Sequence, residues 1–503
     1  MSQHTPQRPI RTLMELRPAF SGHAGIPQET RLLFRGLLGL DGIELSGLLQ
    51  SSARVPAAAL PADLRACQRL RPDQRINRLA QAVVTLQEDS HPPIKDKVLT
   101  ALRLALQPAL TALGAASGLK VPLYRFDPEP YRDFIWRALF SKTLPWEDFD
   151  RVTAASYRLT RQPWAALQAA GAVSGRLGHA LYPRFDTRDF DLLIGETPFP
   201  GRPSGNTRLV VRYHDAIPLL MPHTISERRF QQACHFHALR RNVRDGAWFA
   251  CVSDATRRDL ISIFPEVEPR AVTIGNMLSH SYFLEQAGPQ RVPEILRARR
   301  NTSARLPGGG AIAHWRGGPG LQYLLMVSTI EPRKNHLALL AAWEQLRLER
   351  HPELQLVLVG SLGWHHKGIT EKFRPWLERG QLHLLEDVPA AELRLLYRHA
   401  RVTVCPSFGE GFDYSGVEAM RCGGVVAASE IPVHREVYQD AALYFGAYSV
   451  QQLVQTLERL LAEDAAERCD SLRARGAEVA ARYAPERLLP AWQDFLSRVI
   501  QGA

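Results

Sequence analysis

Cysteine is scarce, with six in 503 residues, and no two of them stand as C-x-x-C. Cys67, Cys234, Cys251, Cys405, Cys422 and Cys469 fit neither a zinc-ligand spacing nor a disulfide framework, so buried thiols in a reducing compartment are expected. The first residues, MSQHTPQRPIR, lack the apolar core of a signal peptide. No uncharged run is long enough to span a bilayer, and the nearest, Val98 to Gly118, is interrupted by Arg103 and Pro108. The expected location is therefore cytoplasmic. Acidic residues fall short of basic ones, 51 against 62, for a net charge of +11. Nucleic acid, an anionic membrane surface, an acidic small molecule or plain arginine richness would each account for that excess. No basic-aromatic module of nucleic-acid binders is present, so nucleic acid is not expected as a partner.

What is present is ordinary globular composition, 45% apolar and 22% charged, in a chain long enough for two domains. Thr12 to Leu16 reads as a strand. It runs through a loop ending at Gly25 into a helix carrying Leu32, Leu33 and Leu37. A glycine between strand and helix lets backbone approach a ligand at the positive helix end. Residues 53 to 180 read as mostly helical, with an aromatic-rich patch from Tyr124 to Phe149. Such a patch serves as core or as a surface for a glycan or lipid-linked acceptor. Short continuous apolar runs return at Asp191–Ile194, Leu209–Val211, Trp248–Val252 and Ala271–Ile274, as in strands covered on both faces. Residues 285 to 319 shift to Arg, Pro and Gly and read as a linker. Strands are then expected at Tyr323–Ser328, Leu354–Val359, Leu382–Leu385, Val402–Cys405 and Gly424–Ala428, with helices between them. This alternation predicts an α/β class, with doubly wound parallel sheets and a ligand crevice at the carboxyl strand edges.

The segment from Pro406 to Met420 follows a buried strand and opens a helix. Ser415 reads as the N-cap and Glu418 as its capping-box partner. Gly411 and Gly416 bracket the turn, so free backbone N–H groups could face an anion. Two carboxylates eight residues apart, Glu410 and Glu418, could hold polyol hydroxyls on either side of it.

This segment resembles the E-x7-E motif of family-4 glycosyltransferases, with Arg421-Cys422-Gly423 where the family has A-C-G. Ser429-Glu430-Ile431-Pro432, Arg435-Glu436-Val437 and Asp440 to Phe445 continue the likeness. Val327 to Asn335, Leu358-Val359-Gly360 with Gly363-Trp364, Tyr213-His214-Asp215, Val252 to Leu260 and Leu16 to Gly25 agree in order. The resemblance implies a retaining GT-B enzyme with two Rossmann-like lobes facing a cleft. The N-terminal lobe would occupy 1–290, with a helical insert at about 53–180. A linker at 291–320, a nucleotide-sugar lobe at 321–485 and a C-terminal helix at 486–503 would follow.

By the same resemblance Lys334 and Arg333 would neutralise the donor diphosphate, and Glu418 would bind the ribose. Glu410 and His214 would contact the transferred hexose, making His214, Glu410 and Lys334 the catalytic set. Gly25, Asp215, Gly363, Gly411, Phe412, Asp413, Tyr414 and Ser415 would line the donor site. Asp413-Tyr414-Ser415 replaces the family's Gly-Leu-Pro, and a carboxylate beside a diphosphate is repelled unless it turns away or pairs with Arg333 or Lys334. The Tyr414 ring could stack or hydrogen-bond near the nucleotide. Neither Asp148-Phe149-Asp150 nor Asp189-Phe190-Asp191 follows an expected strand, so no metal and no cofactor is expected beyond a GDP- or UDP-linked sugar. The T-I-E-P-R-K-N form resembles bacterial mannosyltransferases of surface-polysaccharide assembly, which makes GDP-mannose the first choice of donor. A lipid-linked acceptor at the inner leaflet, met by peripheral membrane contact, would give the basic charge a purpose. A nucleotide-sugar epimerase and a non-catalytic scaffold of a polysaccharide machine are the alternatives.

Overall fold

The computed structural model describes residues 8–23, 25–56, 58–87, 106–176, 178–300 and 320–502. The glycines of the expected linker, Gly308 to Gly310, Gly317 and Gly318, lie outside them, as do Val98 and Arg103.

Among the described residues the first lobe contains ten strands: β1 (Ile10–Glu15), β2 (Ile43–Leu49), β3 (Lys120–Val121), β4 (Tyr124–Phe126), β5 (Ser156–Leu159), β6 (Arg184–Phe185), β7 (Leu192–Gly195), β8 (Arg208–Tyr213), β9 (Trp248–Cys251) and β10 (Ala271–Thr273). Eight of them form one sheet in the order β10-β9-β8-β7-β1-β2-β5-β4, parallel except where β4 runs against β5. The second lobe contains β11 (Tyr323–Val327), β12 (Gln355–Val359), β13 (Leu382–Leu385), β14 (Val402–Cys405), β15 (Val426–Ser429) and β16 (Ala442–Phe445). They form an all-parallel sheet in the order β13-β12-β11-β14-β15-β16. β7, β9, β12, β13, β14 and β15 are buried along their whole length, which is why they read as short, mainly apolar runs, unbroken in β7 and β9 and interrupted only by the buried Gln355, His383, Thr403 and Ser429 in the others.

Six helices position the site: α1 (Ile26–Leu37), α2 (Asp254–Ile263), α3 (His336–Glu349), α4 (Tyr414–Arg421), α5 (Pro432–Tyr438) and α6 (Pro485–Gln501). α1 starts from Gly25, whose φ of +71° suits a residue without Cβ, with Pro27 in its first turn. α6 leaves the second lobe and returns to the first, burying Trp492, Phe495, Leu496 and Val499 in a core shared with Phe34, Leu37, Val210 and Trp248.

The 53–180 segment is more mixed than its sequence suggests. It holds helices Pro72–Leu86, 106–116 and Trp164–Arg176, but β4 and β5 also extend the main sheet. Tyr-Arg-Phe and Ser-Tyr-Arg-Leu are too short to show periodicity, and Tyr157 of β5 is drawn into the core by Phe34 and Phe126. Trp146 stacks on Phe149 and both meet Trp136 edge-on, with Trp146 two-thirds exposed. None of the described helices is long and apolar enough to cross a membrane.

Candidate functional site

In each sheet one central strand has neighbours whose chain connections leave in opposite directions. In the second lobe this divergence lies between β11 and β14, the position where α/β sheets bind ligands, and the loops after those strands meet there, the Phe408 N–H donating to the Arg333 carbonyl at 3.0 Å. The β11 loop supplies Glu331, Arg333 and Lys334, and the β14 loop supplies Gly409 to Asp413.

Arg333 donates to the Gly409 carbonyl (2.6 Å), to Glu410 Oε2 (2.7 Å) and to Glu331 Oε1 (2.8 Å). Lys334 Nζ donates to Glu410 Oε1 at 2.6 Å. Burial pushes the Glu410 carboxyl up, but Arg333 and then Lys334 outweigh it and hold the group below its ordinary value. The expected cation pair is therefore assembled, with Glu410 lying against it. Asn335, at φ +62°, fixes the turn by donating to the Pro406 and Ala447 carbonyls.

The helix start differs from the expected capping box. Asp413 is the N-cap of α4, and its Oδ1 accepts from both the Ser415 N–H (3.2 Å) and the Ser415 hydroxyl (2.7 Å). Ser415 sits one residue inside the helix, so its amide is already used. Asp413 Oδ2 lies 3.1 Å from His434 Nε2, and His434 Nδ1 lies 2.9 Å from the Ser429 carbonyl. The carboxylate has turned to a histidine rather than to Arg333 or Lys334. Burial opposes its ionisation, but the His434 bond and the Lys334 charge keep it well below the usual carboxylate range.

Glu418 is buried and accepts from Gln28 (3.0 Å) and Tyr397 (3.0 Å). Burial pushes it up to about 7, against those hydrogen bonds. Tyr414 is turned to the first lobe, its hydroxyl donating to Glu29 Oε2 at 2.8 Å, and Phe412 packs between Tyr414 and Tyr483. Gly363 has its N–H on the Ile330 carbonyl (3.1 Å).

Across the cleft, His214 follows β8. A Cβ on Gly411 would lie 1.8 Å from the His214 carbonyl oxygen, so only glycine permits this approach. Asp215 caps its own turn by accepting from the Ile217 N–H, and its charge also supports Arg333. His214 is lowered to about 4, first by burial and then by Arg212. Glu436 of α5 receives the N–H groups of Asp254 and Ala255 at the start of α2 (2.6 and 2.8 Å), a carboxylate set on the positive helix end. Contacts in the structure thus join Arg333, Lys334, Glu410 and Gly411 to His214 and Asp215, and Glu418 to Gln28, while Phe412 and Tyr414 serve lobe packing, Asp413 and Ser415 turn to His434 and the helix start, and Gly25 and Gly363 lie at the start of α1 and beside the β11 loop.

Sequence reasoning missed Gln28, Glu29 and Arg212, because their partners lie far away in the chain. It also missed Glu196, which does carry a local signal, a carboxylate immediately after a fully apolar strand. The aspartates of the two D-x-D stretches pair with arginines: Asp148 with Arg35, Asp150 with Arg132, Asp189 with Arg158, and Asp191 with Arg8 and Arg11. Among the described residues no cluster suited to a metal ion occurs.

Residues 318–479 match the family model described as Glycosyl transferases group 1. An O-antigen chain mannosyltransferase B of Escherichia coli is 29% identical over 270 residues, covering 53% of this chain and 65% of the relative. A serotype-specific mannosyltransferase of Escherichia coli is 35% identical over 140 residues, 27% of this chain and 17% of the relative. The chain thus spans just under two thirds of the first and about a sixth of the second. A sucrose-phosphate synthase from Thermosynechococcus elongatus superposes with a TM-score of 0.60 at 13% identity, over 99% of this chain and 100% of that one. That likeness establishes the GT-B fold.

Proposed function

Since residues 318–479 form a group 1 glycosyltransferase domain within a GT-B fold, we propose that the chain transfers a hexose, with retention, from a nucleotide-sugar to a glycan or lipid-linked acceptor in polysaccharide assembly. GDP-mannose is the donor put forward first, because the matched relatives bear mannosyltransferase names. The observation that carries this reading is the Arg333–Lys334 pair at the β11/β14 divergence, facing His214 across Gly411.

The chemistry asked of such a site is charge stabilisation as a diphosphate departs, and two fixed cations in a largely water-free crevice supply it. Donor phosphates would replace Glu410 against Arg333 and Lys334, and the freed carboxylate would turn to a hexose hydroxyl. Glu418 would exchange its Gln28 bond for the ribose. The proton of the acceptor hydroxyl would pass to the leaving phosphate oxygen, so the residues bind and orient rather than act as a dedicated base. Closure of the lobes would bring acceptor and donor together. The basic surface would hold the protein at an anionic inner leaflet as a peripheral contact.

The test is nucleotide release from a panel of GDP- and UDP-sugars, with and without lipid extract. Acceptor-dependent release supports transfer, sugar interconversion supports an epimerase, and binding without turnover supports a scaffold. Lys334→Ala is expected to lose about 2–4 kcal/mol of transition-state stabilisation in kcat/KM. Activity within about twofold of the parent rejects the role given to Lys334.

A further inference from the structure

The first lobe has its own divergence point, between β1 and β7, and two carboxylates there, Glu15 and Glu196, are not accounted for by donor binding. Glu15 is the last residue of β1, Glu196 follows β7 directly, and His214 follows β8. All three are buried. Glu15 is fixed by Arg17, whose Nε donates to Oε1 at 3.0 Å, while Glu15 Oε2 accepts the Glu196 N–H at 3.0 Å. Arg17 is itself held over the Trp164 ring at 3.9 Å. Glu196 Oε2 accepts from the Thr30 hydroxyl of α1 at 3.2 Å and lies 3.7 Å from His214 Nε2.

Two polar atoms in this group have no hydrogen-bond partner among the described residues, Glu196 Oε1 and His214 Nε2. A buried carboxylate oxygen left unsatisfied costs stability. The surroundings position Glu196 without completing its hydrogen bonds. An orphaned carboxylate oxygen beside an orphaned imidazole nitrogen suits a hydroxyl, which donates its one proton to the carboxylate and accepts from the imidazole N–H.

We propose that Glu196 Oε1 and His214 Nε2 receive a hydroxyl of a saccharide acceptor, with Glu15, Arg17 and Thr30 holding Glu196 in place. This rests on the transfer reading above and adds the acceptor's chemical class, a glycoside with free sugar hydroxyls, and a residue that grips it. In the reaction the bond from C1 of the donor hexose to the diphosphate oxygen breaks. A bond from C1 to the acceptor oxygen forms, and the hydroxyl proton goes to the departing diphosphate. Glu196 grips a neighbouring, non-reacting hydroxyl of the same saccharide, so that the reacting hydroxyl keeps its proton for the diphosphate and Glu196 takes none.

The charged groups facing Glu196 are Glu15 of β1, Arg17 after it, and Arg212 and His214 of the β8 end. Burial raises Glu196 to about 7 against Arg212, so the carboxylate form gains population as pH rises through neutrality.

The experiment uses the full chain with the nucleotide-sugar it turns over fastest and a panel of methyl α-D-mannoside, α-linked mannobiose and mannotriose. Glu196→Gln is expected to raise the acceptor KM about tenfold, with a smaller change in donor KM. It should also flatten the rise of kcat/KM for acceptor between pH 6 and 8, and Glu196→Asp, with its charge one methylene short, should fall between. Thermal melting and nucleotide binding by calorimetry verify that each variant is folded. An acceptor KM within twofold of the parent in folded Glu196→Gln overturns the proposal. So does nucleotide release that no saccharide in the panel accelerates, since the stated occupant is a sugar hydroxyl. Failure to turn over any donor rejects the transfer reading itself and this inference with it.

Discussion

Asp413 holds a left-handed backbone position, φ +62°, that few non-glycine residues adopt. Its two oxygens divide the work, Oδ1 capping α4 through Ser415 and Oδ2 meeting His434. His434 has acceptors on both sides, the Ser429 carbonyl and the Asp413 carboxylate, so both ring nitrogens are asked to donate. The carboxylate is thereby hydrogen-bonded inside the second lobe and turned away from Arg333 and Lys334. Because its folded-state value is depressed, Asp413 contributes stability that is present above the unfolded carboxylate value, near pH 4. That contribution is lost as pH falls below it. Asp413→Asn keeps an oxygen for the cap but loses the charge, so it is expected to cost roughly 1.5–3 kcal/mol at pH 7, the range for a hydrogen bond to a charged group. The deficit against the parent should shrink as the urea unfolding midpoint is followed from pH 5 to pH 3. A constant gap across that range would assign the effect to shape alone. The sequence exposed the problem, a carboxylate where the resembled family has glycine, but not its solution, because His434 lies on the next helix in the chain.

At the scale of elements, α1 and α4 form a latch across the lobes, Gln28 to Glu418 and Glu29 to Tyr414. Arg212 locks Glu29 from behind at 2.7 Å and also donates to the Ile274 and Gly275 carbonyls and to Asn276. The latch uses two residues of the segment expected to bind nucleotide, so closing the lobes and the proposed donor binding would draw on the same side chains. Glu418 is raised to about 7, and a raised carboxylate opposes folding only where the unfolded chain has ionised and the folded one has not. The penalty therefore starts near pH 4.5, grows to pH 7 and then levels off, reaching about 3 kcal/mol by linkage. Glu418→Gln should remove this downward slope, read as urea midpoints between pH 4.5 and 8, whatever its absolute stability. A parent profile that is flat over that interval would contradict the burial-driven shift. Strands such as β7 and β9 were legible because burial on both faces forces an unbroken apolar run. The two motif glutamates were legible because a strand-turn-helix unit places them locally. The latch was not, since Gln28 and Glu29 look like ordinary first-turn residues until a second lobe arrives opposite them.

For the whole molecule, the element that decides whether the lobes act as one is α6. It buries Trp492 completely in the first-lobe core, edge-on to Phe495 at 6.0 Å, with the Arg212 guanidinium 5.2 Å from its ring centroid. Arg212 in turn carries Glu29, and Glu29 carries Tyr414, so one continuous line of contacts runs from the last helix to the donor loop. Removing the indole should do two separable things. Loss of packing and the resulting cavity is expected to cost about 3–5 kcal/mol for Trp492→Ala, measured as a lower free energy of urea unfolding. With its ring gone, Arg212 gains freedom, and the latch it supports should weaken before the fold fails. Trp492→Ala should then show a larger radius of gyration than the parent by X-ray scattering in water at 20 °C, at a temperature where circular dichroism still reports native secondary structure. Trp492→Phe, which refills most of the volume, should restore compactness. If Trp492→Ala loses stability but stays as compact as the parent, the line of contacts through Arg212 does not govern lobe closure, and α6 serves the first lobe alone.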